Sequence, residues 1–397
     1  MFFNGLTPSP DACCGCNACV ETCPHDALSL TYDHNGFIMP ILTPNKCVEC
    51  GACEKVCPML HPDRILAEED GKAYAAVNRD IPELMRSSSG GVFSIIARHL
   101  LSDGGIVYGS AFDKNMQLIH TAIEDKDKLH LLQGSKYLQS LNDGIFKEIR
   151  THLRTGRKVY YTGTGCQVAA LKLYLRKDYD NLFTSDILCH GTPPQNVFNF
   201  TLKSLENRYK GQVVDYKFRD KKVWGWSCSS SCSIKSGNRI RYIGYDKSMD
   251  AYFNAFIDAV NYRESCYKCP YAQSRRSGDI TLADFWGVEK YIPVPNKRNG
   301  VSAILVNTPK GQKLLQEIVN SMDLYDADIK DISVINRTLT GPTTRPPERD
   351  YFFTDFEKNP GKTMDAYTRQ DLKRHMVYLL KRNPLTNALI NRIKSLT

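Results

Sequence analysis

The sequence predicts a small cysteine-rich α+β domain, a larger mixed α/β domain behind it, and a helical C-terminal extension. Three observations lead to this fold class. Two equal runs of cysteines fall within the first sixty residues, strand and helix patterns alternate through the middle of the chain, and the residues from 346 onward are polar with helical periodicity. A length of 397 residues allows two or three domains with a large buried core.

Both cysteine runs read C-x2-C-x2-C-x3-C-P. This spacing is typical of bacterial-type ferredoxins with two 4Fe-4S clusters, in which the fourth cysteine of each run ligates the other cluster. The predicted ligands of cluster one are Cys13, Cys16, Cys19 and Cys57. The predicted ligands of cluster two are Cys47, Cys50, Cys53 and Cys23. Zinc sites use paired C-x2-C units, and a disulfide knot is disfavoured because the remaining sequence is typical of a large intracellular enzyme.

Composition limits the class of protein further. The 42% hydrophobic and 24% charged residues are ordinary for a soluble globular protein. Neither a signal peptide nor an apolar run long enough to cross a bilayer is found, so we expect a cytoplasmic protein without a membrane span. We interpret the formal net charge of +9 as compensation for anionic cofactors, together with a docking face for an acidic partner. Scattered Lys and Arg argue against nucleic-acid binding.

Two strand–helix units in the middle of the chain place cysteines at equivalent positions. A strand over 158–161 leads through a glycine turn to Cys166 at the start of a helix, and a strand over 182–188 leads to Cys189. Parallel strands connected by right-handed crossovers bring their carboxyl ends to one edge of a sheet. That edge is where open α/β sheets bind ligands.

A third metal site follows from a later C-x2-C pair, Cys266 and Cys269, which precedes Pro270. Together with Cys166 and Cys189 these residues supply four thiolates, enough for a third 4Fe-4S cluster. A zinc site and buried free cysteines are the alternatives. Cys228 and Cys232 lie in a serine-rich stretch of predicted antiparallel strands over 213–245, and we interpret them as bystanders.

Three stretches suggest anion or flavin binding. Small residues with free amides stand at the start of a predicted helix, which is an arrangement that favours a phosphate, although an ordinary serine N-cap is the alternative. A lysine–tyrosine pair between glycine and hydroxyl residues offers a second contact, with a solvated loop as its alternative. The candidate cofactor-binding residues, including two from the glycine turn, are Ser87, Ser88, Ser89, Gly90, Gly91, Lys136, Tyr137, Gly163 and Thr164.

A set of motifs in this order resembles one known family. The motifs are SSSGG, GSKYLQS, GTGCQ, CHG, FRDK, SCYKCPYA, GDITLADFWG and GVSAILVNT. They resemble the coenzyme F420 hydrogenase/dehydrogenase beta-subunit family over about Ala73 to Arg349, and a two-cluster ferredoxin domain in front is common there. The resemblance implies an FAD-binding iron–sulfur oxidoreductase, with FAD in preference to FMN. The family's usual GTPCQ reads GTGCQ here, with Gly165 in place of proline.

These expectations give three predicted domains: a two-cluster ferredoxin-type domain over 1–62, a flavin and iron–sulfur domain over 73–345, and a helical extension over 346–397. The predicted function is an oxidoreductase that passes electrons from a ferredoxin or flavodoxin through the clusters to FAD and on to a two-electron acceptor. That acceptor is expected to be an F420-like cofactor or a small organic or surface-polysaccharide precursor. His190 and Asp284 are candidate proton donors, although turn-capping and strand-end roles are the alternatives. A non-catalytic electron-transfer subunit and a zinc-stabilised scaffold are the competing functions. A homo-oligomer or a partner subunit is also expected.

Overall fold

The structure is a computed structural model that describes residues 9–245, 249–295 and 297–368. Contacts divide the chain into two compact units. The first consists of Leu138–Asn196, Tyr262–Arg345 and the described part of Met1–Gln133. The second consists of Gly134–Tyr137, Val197–Asn261 and the described part of Pro346–Thr397.

The strands of the described residues are, in chain order, β1 (Leu28–Tyr32), β2 (Ile38–Leu42), β3 (Lys72–Asn78), β4 (Ile106–Phe112), β5 (Leu118–Ile123), β6 (Val159–Thr164), β7 (Leu182–Ile187), β8 (Gln212–Lys217), β9 (Ser230–Ser236), β10 (Arg239–Tyr245), β11 (Ile280–Asp284), β12 (Ser302–Val306) and β13 (Met322–Asp326). The α-helices there are α1 (Ala18–Thr22), α2 (Ala52–Lys55), α3 (Ile81–Arg86), α4 (Val92–Ser102), α5 (Ile145–Arg154), α6 (Gly165–Leu175), α7 (Gln195–Tyr209), α8 (Lys221–Trp224), α9 (Ala251–Ile257), α10 (Pro309–Ile318), α11 (Ile329–Ser333), α12 (Arg349–Lys358) and α13 (Pro360–Asp365).

The N-terminal segment repeats one backbone pattern. In each cysteine run, two residues adopt a left-handed conformation before a short helix begins: Gly15 and Asn17 with φ of 65° and 72°, and Glu49 and Gly51 with φ of 55° and 67°. The antiparallel hairpin of β1 and β2 lies between the runs. The structure therefore reproduces the internal repeat that the spacing indicates.

The first unit contains an eight-stranded sheet with the order β13-β3-β12-β11-β7-β6-β4-β5. Strands β4, β6, β7 and β11 are parallel neighbours, whereas β12 pairs antiparallel with both β11 and β3. Consequently β3 runs in the same direction as these four strands, and all five carboxyl ends meet at one edge. The predicted parallel pairing of β6 and β7 is confirmed, with Thr164 beside Ile187.

One face of the sheet is covered by α4 and α10. The predicted apolar stripe of α4 is buried, including Val92, Ile95, Ile96 and Leu100. Apolar residues at helical spacing predict an amphipathic helix from Lys310 to Met322. The helix of the structure ends earlier, at Ile318. A 3₁₀ turn over Val319–Ser321 follows, and Met322 already belongs to β13, so the predicted end of this helix is wrong.

The second unit contains the antiparallel sheet β10-β9-β8, which confirms the antiparallel strands predicted over 213–245. Aromatic side chains fill its core: Phe198 lies with ring centroids 5.1 Å from Tyr216, 5.4 Å from Phe218 and 5.3 Å from Tyr252. The predicted last helix after Pro384 lies outside the described residues. Among the residues that the structure describes, no helix is both long and apolar enough to cross a membrane.

Candidate iron–sulfur and electron-transfer site

All fifteen cysteines lie within the described residues and carry free thiols. The N-terminal thiols form one neighbourhood in which the two runs interlock. Desolvation raises the pKa of Cys57 to about 11, and the adjacent Cys13 and Cys53 add to the shift. Cys19 lies beside Cys13, Cys57 and Cys53, while Cys23 lies beside Cys53. This proximity of Cys57 to the first run and of Cys23 to the second agrees with crossed ligation, and a bound metal would offset the cost of ionising thiols held this close.

The four thiols predicted for a third site also share one neighbourhood. Burial raises the pKa of Cys189, and the adjacent Cys266, Cys166 and Cys269 raise it further. Burial likewise raises the pKa of Cys269 to about 12, with Cys166 and Cys266 as the next causes. Each of these thiols is partly accessible yet surrounded by protein, as expected of side chains that line a small internal space. The topology places Cys166 after β6 and Cys189 after β7, at the predicted sheet edge.

Hydrogen bonds fix the position of Cys166 at the start of α6. Thr164 is the N-cap residue and forms a capping box with Gln167, whose side-chain oxygen accepts from the Thr164 amide at 3.0 Å. The Thr164 hydroxyl lies 3.2 Å from Cys166 Sγ. Gly165, which replaces the family's usual proline, packs against Tyr271, and a Cβ there would lie 3.0 Å from Tyr271 Cβ. Thr164 is therefore occupied with capping the helix and contacting the thiol.

Cys14, which was not among the predicted ligands, joins the two thiol groups. Its thiol lies beside those of Cys16 of the first run and Cys166 of the sheet edge, and these neighbouring thiols influence its pKa. Gln139 Nε2 donates to the Cys14 carbonyl at 3.5 Å, and Asn142 Nδ2 donates to the Cys16 carbonyl at 3.3 Å. The first cysteine loop is thus held directly against the edge of the large sheet.

No single-ion site is formed by these groups. In residues 9–245, 249–295 and 297–368, no three or more His, Cys, Asp or Glu side chains converge closely enough to hold one metal ion. The assignment of individual cluster ligands stays a prediction.

The predicted phosphate loop is engaged within the protein. The Ser87 hydroxyl donates to the Glu83 carbonyl and the Ser89 hydroxyl to the Val301 carbonyl, both at 2.8 Å. The Gly90 amide donates to Ser302 Oγ at 3.0 Å, and a Cβ at Gly90 would collide with backbone atoms of β3 and β12. Glycine at this position is therefore explained by close packing. Gly91, with φ of 83°, is the residue from which α4 begins.

Lys136 and Tyr137 belong to the second unit, whereas the other predicted flavin residues belong to the first. The Tyr137 ring packs against Phe256 at 4.5 Å, and its hydroxyl accepts a hydrogen bond from Arg219 Nη1 at 3.1 Å. Lys136 is half-buried, and desolvation lowers its pKa to about 7, opposed by Asp215. Of the two glycine-turn residues, Gly163 packs against Gln167, which also bonds Thr164. The flavin-binding role of all these residues stays a prediction.

The two candidate proton donors lie near each other. Desolvation lowers the pKa of His190, and the carboxylate of Asp284 opposes that shift. His190 is accessible to solvent. His190 follows Cys189, and Asp284 ends β11, so both belong to the same sheet edge as the third thiol group.

Comparisons with known proteins bear on this arrangement. Residues 12–60 match the 4Fe-4S dicluster domain, and residues 156–331 match the family described as the C terminus of the coenzyme F420 hydrogenase/dehydrogenase beta subunit. Residues 156–331 are therefore similar to the C-terminal part of this beta-subunit family. The chain thus joins a 4Fe-4S dicluster domain to the family's C-terminal domain, which makes it an iron–sulfur protein of an oxidoreductase family and confirms the resemblance drawn from the motifs.

A solved structure was also found to be similar. A chain of the xenon-derivatized F420-reducing NiFe hydrogenase complex from Methanosarcina barkeri matches with 15% identity and a TM-score of 0.46, covering 73% of this chain and 92% of that one. A likeness at this level carries no argument about activity. No curated protein matches the chain.

Proposed function

We propose that this protein transfers electrons from a ferredoxin or flavodoxin, through its N-terminal clusters and a third cluster at the sheet edge, to FAD and a small two-electron acceptor. The observation that supports this most directly is the position of the Cys14 thiol beside those of both Cys16 and Cys166, in a loop that Gln139 and Asn142 hold by hydrogen bonds to the Cys14 and Cys16 carbonyls. That contact joins the dicluster domain to the thiol group at the sheet edge. Electron transfer between two centres requires that they lie close together.

The side chains and amides available at each place determine how well each expected cofactor fits. The four neighbouring thiols at the sheet edge fit a third cubane cluster, which would be held by Cys166, Cys189, Cys266 and Cys269. When bound, clusters carry single electrons and a flavin combines them into a pair. The serine–glycine loop fits a flavin phosphate less well, because the side chains of Ser87 and Ser89 and the Gly90 amide already bond within the protein. Flavin binding therefore depends on the remaining predicted residues.

This occupied loop favours a second candidate function, a non-catalytic electron-transfer subunit that supplies a partner enzyme. The description of the family as a beta subunit supports a partner of this kind. In the first candidate function, His190 holds the proton that accompanies the electron pair, and Asp284 orients it. In the second, neither residue has a chemical task. The need for reduced thiolates supports a cytoplasmic location in both cases.

Metal and flavin analysis of anaerobically purified protein tests the proposal. Three clusters correspond to about twelve irons and twelve sulfides per chain, and two correspond to about eight of each. We expect about twelve, with one flavin released by acid. About eight irons would remove the third cluster, and twelve irons without flavin would favour the electron-transfer subunit. Substantial zinc at the third site would instead support a zinc-stabilised scaffold.

Cys269→Ala tests the position of the third cluster. We expect this change to lower iron content by about four per chain and to lower thermal stability, because metal binding there also contributes folding energy. Cys228→Ala is the matched control, since Cys228 lies in the other unit and is not a predicted ligand. Equal iron content in the two variants would show that Cys269 is not a ligand.

A further inference from the structure

Arg263 is a buried cation at the junction between the dicluster segment and the sheet edge. Only 3% of its surface is exposed. Its Nη1 donates to the Cys13 carbonyl at 3.1 Å and to Met39 Sδ at 3.2 Å. Its Nη2 donates to the Ile38 carbonyl at 2.6 Å and to Gln139 Oε1 at 3.0 Å. One guanidinium therefore connects the first cysteine loop and the β1–β2 hairpin to the segment that leads into the large sheet.

Every one of these acceptors is neutral. Among the residues that the structure describes, no carboxylate forms an ion pair with Arg263, and its Nε–H has no acceptor there. The centroid of the Phe37 ring lies 4.9 Å from the guanidinium carbon, which adds a weak favourable contact. A buried charge is costly unless an opposite charge compensates it, so this cation calls for an anion nearby.

The anions that this place can offer are the clusters predicted at the two flanking thiol groups. On one side Arg263 accepts, through its backbone carbonyl, a hydrogen bond from the Cys266 amide at 3.0 Å. On its other side it bonds the carbonyl of Cys13, a predicted ligand of cluster one. A 4Fe-4S cluster with four thiolate ligands carries a net negative charge, and nearby charge and hydrogen bonds are known determinants of cluster potential.

We infer that Arg263 is a positioning residue that holds the first cysteine loop against the sheet edge and raises the reduction potential of the clusters on either side of it. A positive charge stabilises the reduced cluster, which has one more negative charge than the oxidised one. Such a shared cation would keep the potentials of two successive centres close together, so that electrons can cross between them. The part concerning the third cluster rests on the proposed function, whereas the part concerning cluster one rests on the dicluster domain.

The test is a redox titration of intact, cluster-loaded protein followed by electron paramagnetic resonance. Arg263→Gln removes the charge, and Arg263→Lys keeps it while losing the forked hydrogen bonds. Arg154→Gln removes an exposed cation from α5 and controls for net charge, because solvent screens that position. Met39→Leu controls for packing against the guanidinium.

In Arg263→Gln, we expect the ratio of reduced to oxidised cluster at a fixed potential to fall about tenfold, which corresponds to about 59 mV for one electron. Arg263→Lys should restore most of this ratio, and the two controls should leave it unchanged.

If Arg263→Gln leaves every cluster potential as in the parent protein, the inference is wrong. If Arg263→Gln binds too little iron to titrate, Arg263→Lys is compared with the parent protein. Iron content and potentials similar to those of the parent support a role of the charge. A loss of iron in Arg263→Lys equal to the loss in Arg263→Gln overturns that role. A parent protein with about eight irons would refute the third cluster but leave cluster one as a test of Arg263.

Discussion

Arg276 and Asp186 form an ion pair that joins the two halves of the third thiol group. Their exposed side-chain fractions are 3% and 0%, and Arg276 Nη2 lies 2.6 Å from Asp186 Oδ2. Asp186 stands near the end of β7, three residues before Cys189. Arg276 also donates to the carbonyls of Tyr271 and Gln273, in the loop that follows Cys269. The pair therefore fixes the C-x2-C loop relative to the strand that carries Cys189.

Removing one partner of a buried ion pair leaves the other charge uncompensated, which costs about 3–5 kcal/mol. We expect Arg276→Met to lower the free energy of unfolding by an amount of this order and to lower iron content. Its neighbour Arg275 is exposed, so Arg275→Met should change stability little. Urea unfolding of both variants, with iron assays, checks the prediction. Equal midpoints would mean that the ion pair does not hold the loop.

Lys136 gives a pH-dependent prediction. Its folded pKa of about 7 lies below the ordinary lysine value of about 10.4. Between these two values the unfolded state binds more protons than the folded state, so stability rises with pH. Below about pH 7 the folded protein carries the whole cost of the desolvated charge. Lys136→Met removes that cost.

We therefore expect Lys136→Met to raise the melting temperature relative to the parent at about pH 7, with a smaller gain at about pH 9. Lys128→Met, at an exposed position in the 3₁₀ segment Lys126–Leu131, should show no such trend. Differential scanning fluorimetry of the three proteins at both pH values measures the difference. A gain that is constant with pH would place the Lys136 charge in solvent.

At the scale of elements, the two cysteine loops have the same backbone but different surroundings. The position after the first cysteine is Cys14 in one loop, where it contacts Cys166, and Val48 in the other, where 59% of its surface is exposed. The next position in the first loop is Gly15, and side-chain atoms of Gln139 and Arg263 lie close to its Cα. The first loop thus requires a small residue and the second does not.

A comparison of two glycine variants tests this difference. Gly51→Ala introduces only the strain of a left-handed alanine, about 1–2 kcal/mol, because the nearest atom to its Cβ would be Glu54 Oε2 at 3.8 Å. Gly15→Ala adds a collision with Gln139, the Ile38 carbonyl and Arg263. We expect Gly15→Ala to be the more destabilising and to speed proteolysis between residues 61 and 71. Equal stability losses would contradict the tight docking of the first loop.

The elements that sequence predicted well are those with a local signal. Cysteine spacing, strand alternation and the glycine turn before Cys166 each act within a few residues, and β6, β7 and α4 form close to where these signals place them. The carboxyl edge of the sheet followed from the topology of strand–helix units. The end of α10 was missed because the apolar pattern continues smoothly from the helix into β13.

The residues that join the elements could not be predicted in this way. Arg263 bonds Cys13 across 250 positions, and Asn142 bonds Cys16 across 126. No spacing pattern relates residues so far apart in the chain. Ser302 likewise occupies the Gly90 amide from 212 positions away, so the serine–glycine stretch resembled an open phosphate loop when read locally. Only the tertiary contacts distinguish a loop whose groups bond within the protein from a loop that is open to a phosphate.

At the scale of the whole molecule, charge is distributed unevenly along the chain. The first 71 residues contain ten acidic and three basic residues, a net charge of −7, and the remaining residues have a net charge of +16. The basic excess that we interpreted as a docking face for an acidic partner therefore lies outside the segment with the two cysteine runs. An acidic electron carrier gains no attraction from the net charge of that segment.

The two N-terminal cysteine loops differ in their exposure to solvent, and this difference indicates the order in which their clusters receive electrons. Cys16 is buried and its loop lies against the sheet edge, whereas Cys50 is exposed. An external carrier can therefore approach the second loop but not the first. In the proposed function, electrons arrive at the cluster that includes Cys50, pass to the cluster that includes Cys16, and leave toward Cys166.

Cys50→Ala tests this order. Loss of the exposed cluster should slow reduction by a protein donor by about tenfold or more, because the donor can no longer approach a centre closely. Reduction of the remaining clusters by dithionite, a small molecule that does not need a docking face, should keep its parent rate. Cys228→Ala, outside all three thiol groups, should behave as the parent with both reductants. Stopped-flow absorbance with reduced ferredoxin and with dithionite distinguishes these results. If Cys50→Ala slowed both reactions equally, electrons would not enter at the exposed loop, and the difference in burial between the two loops would have no bearing on the direction of transfer.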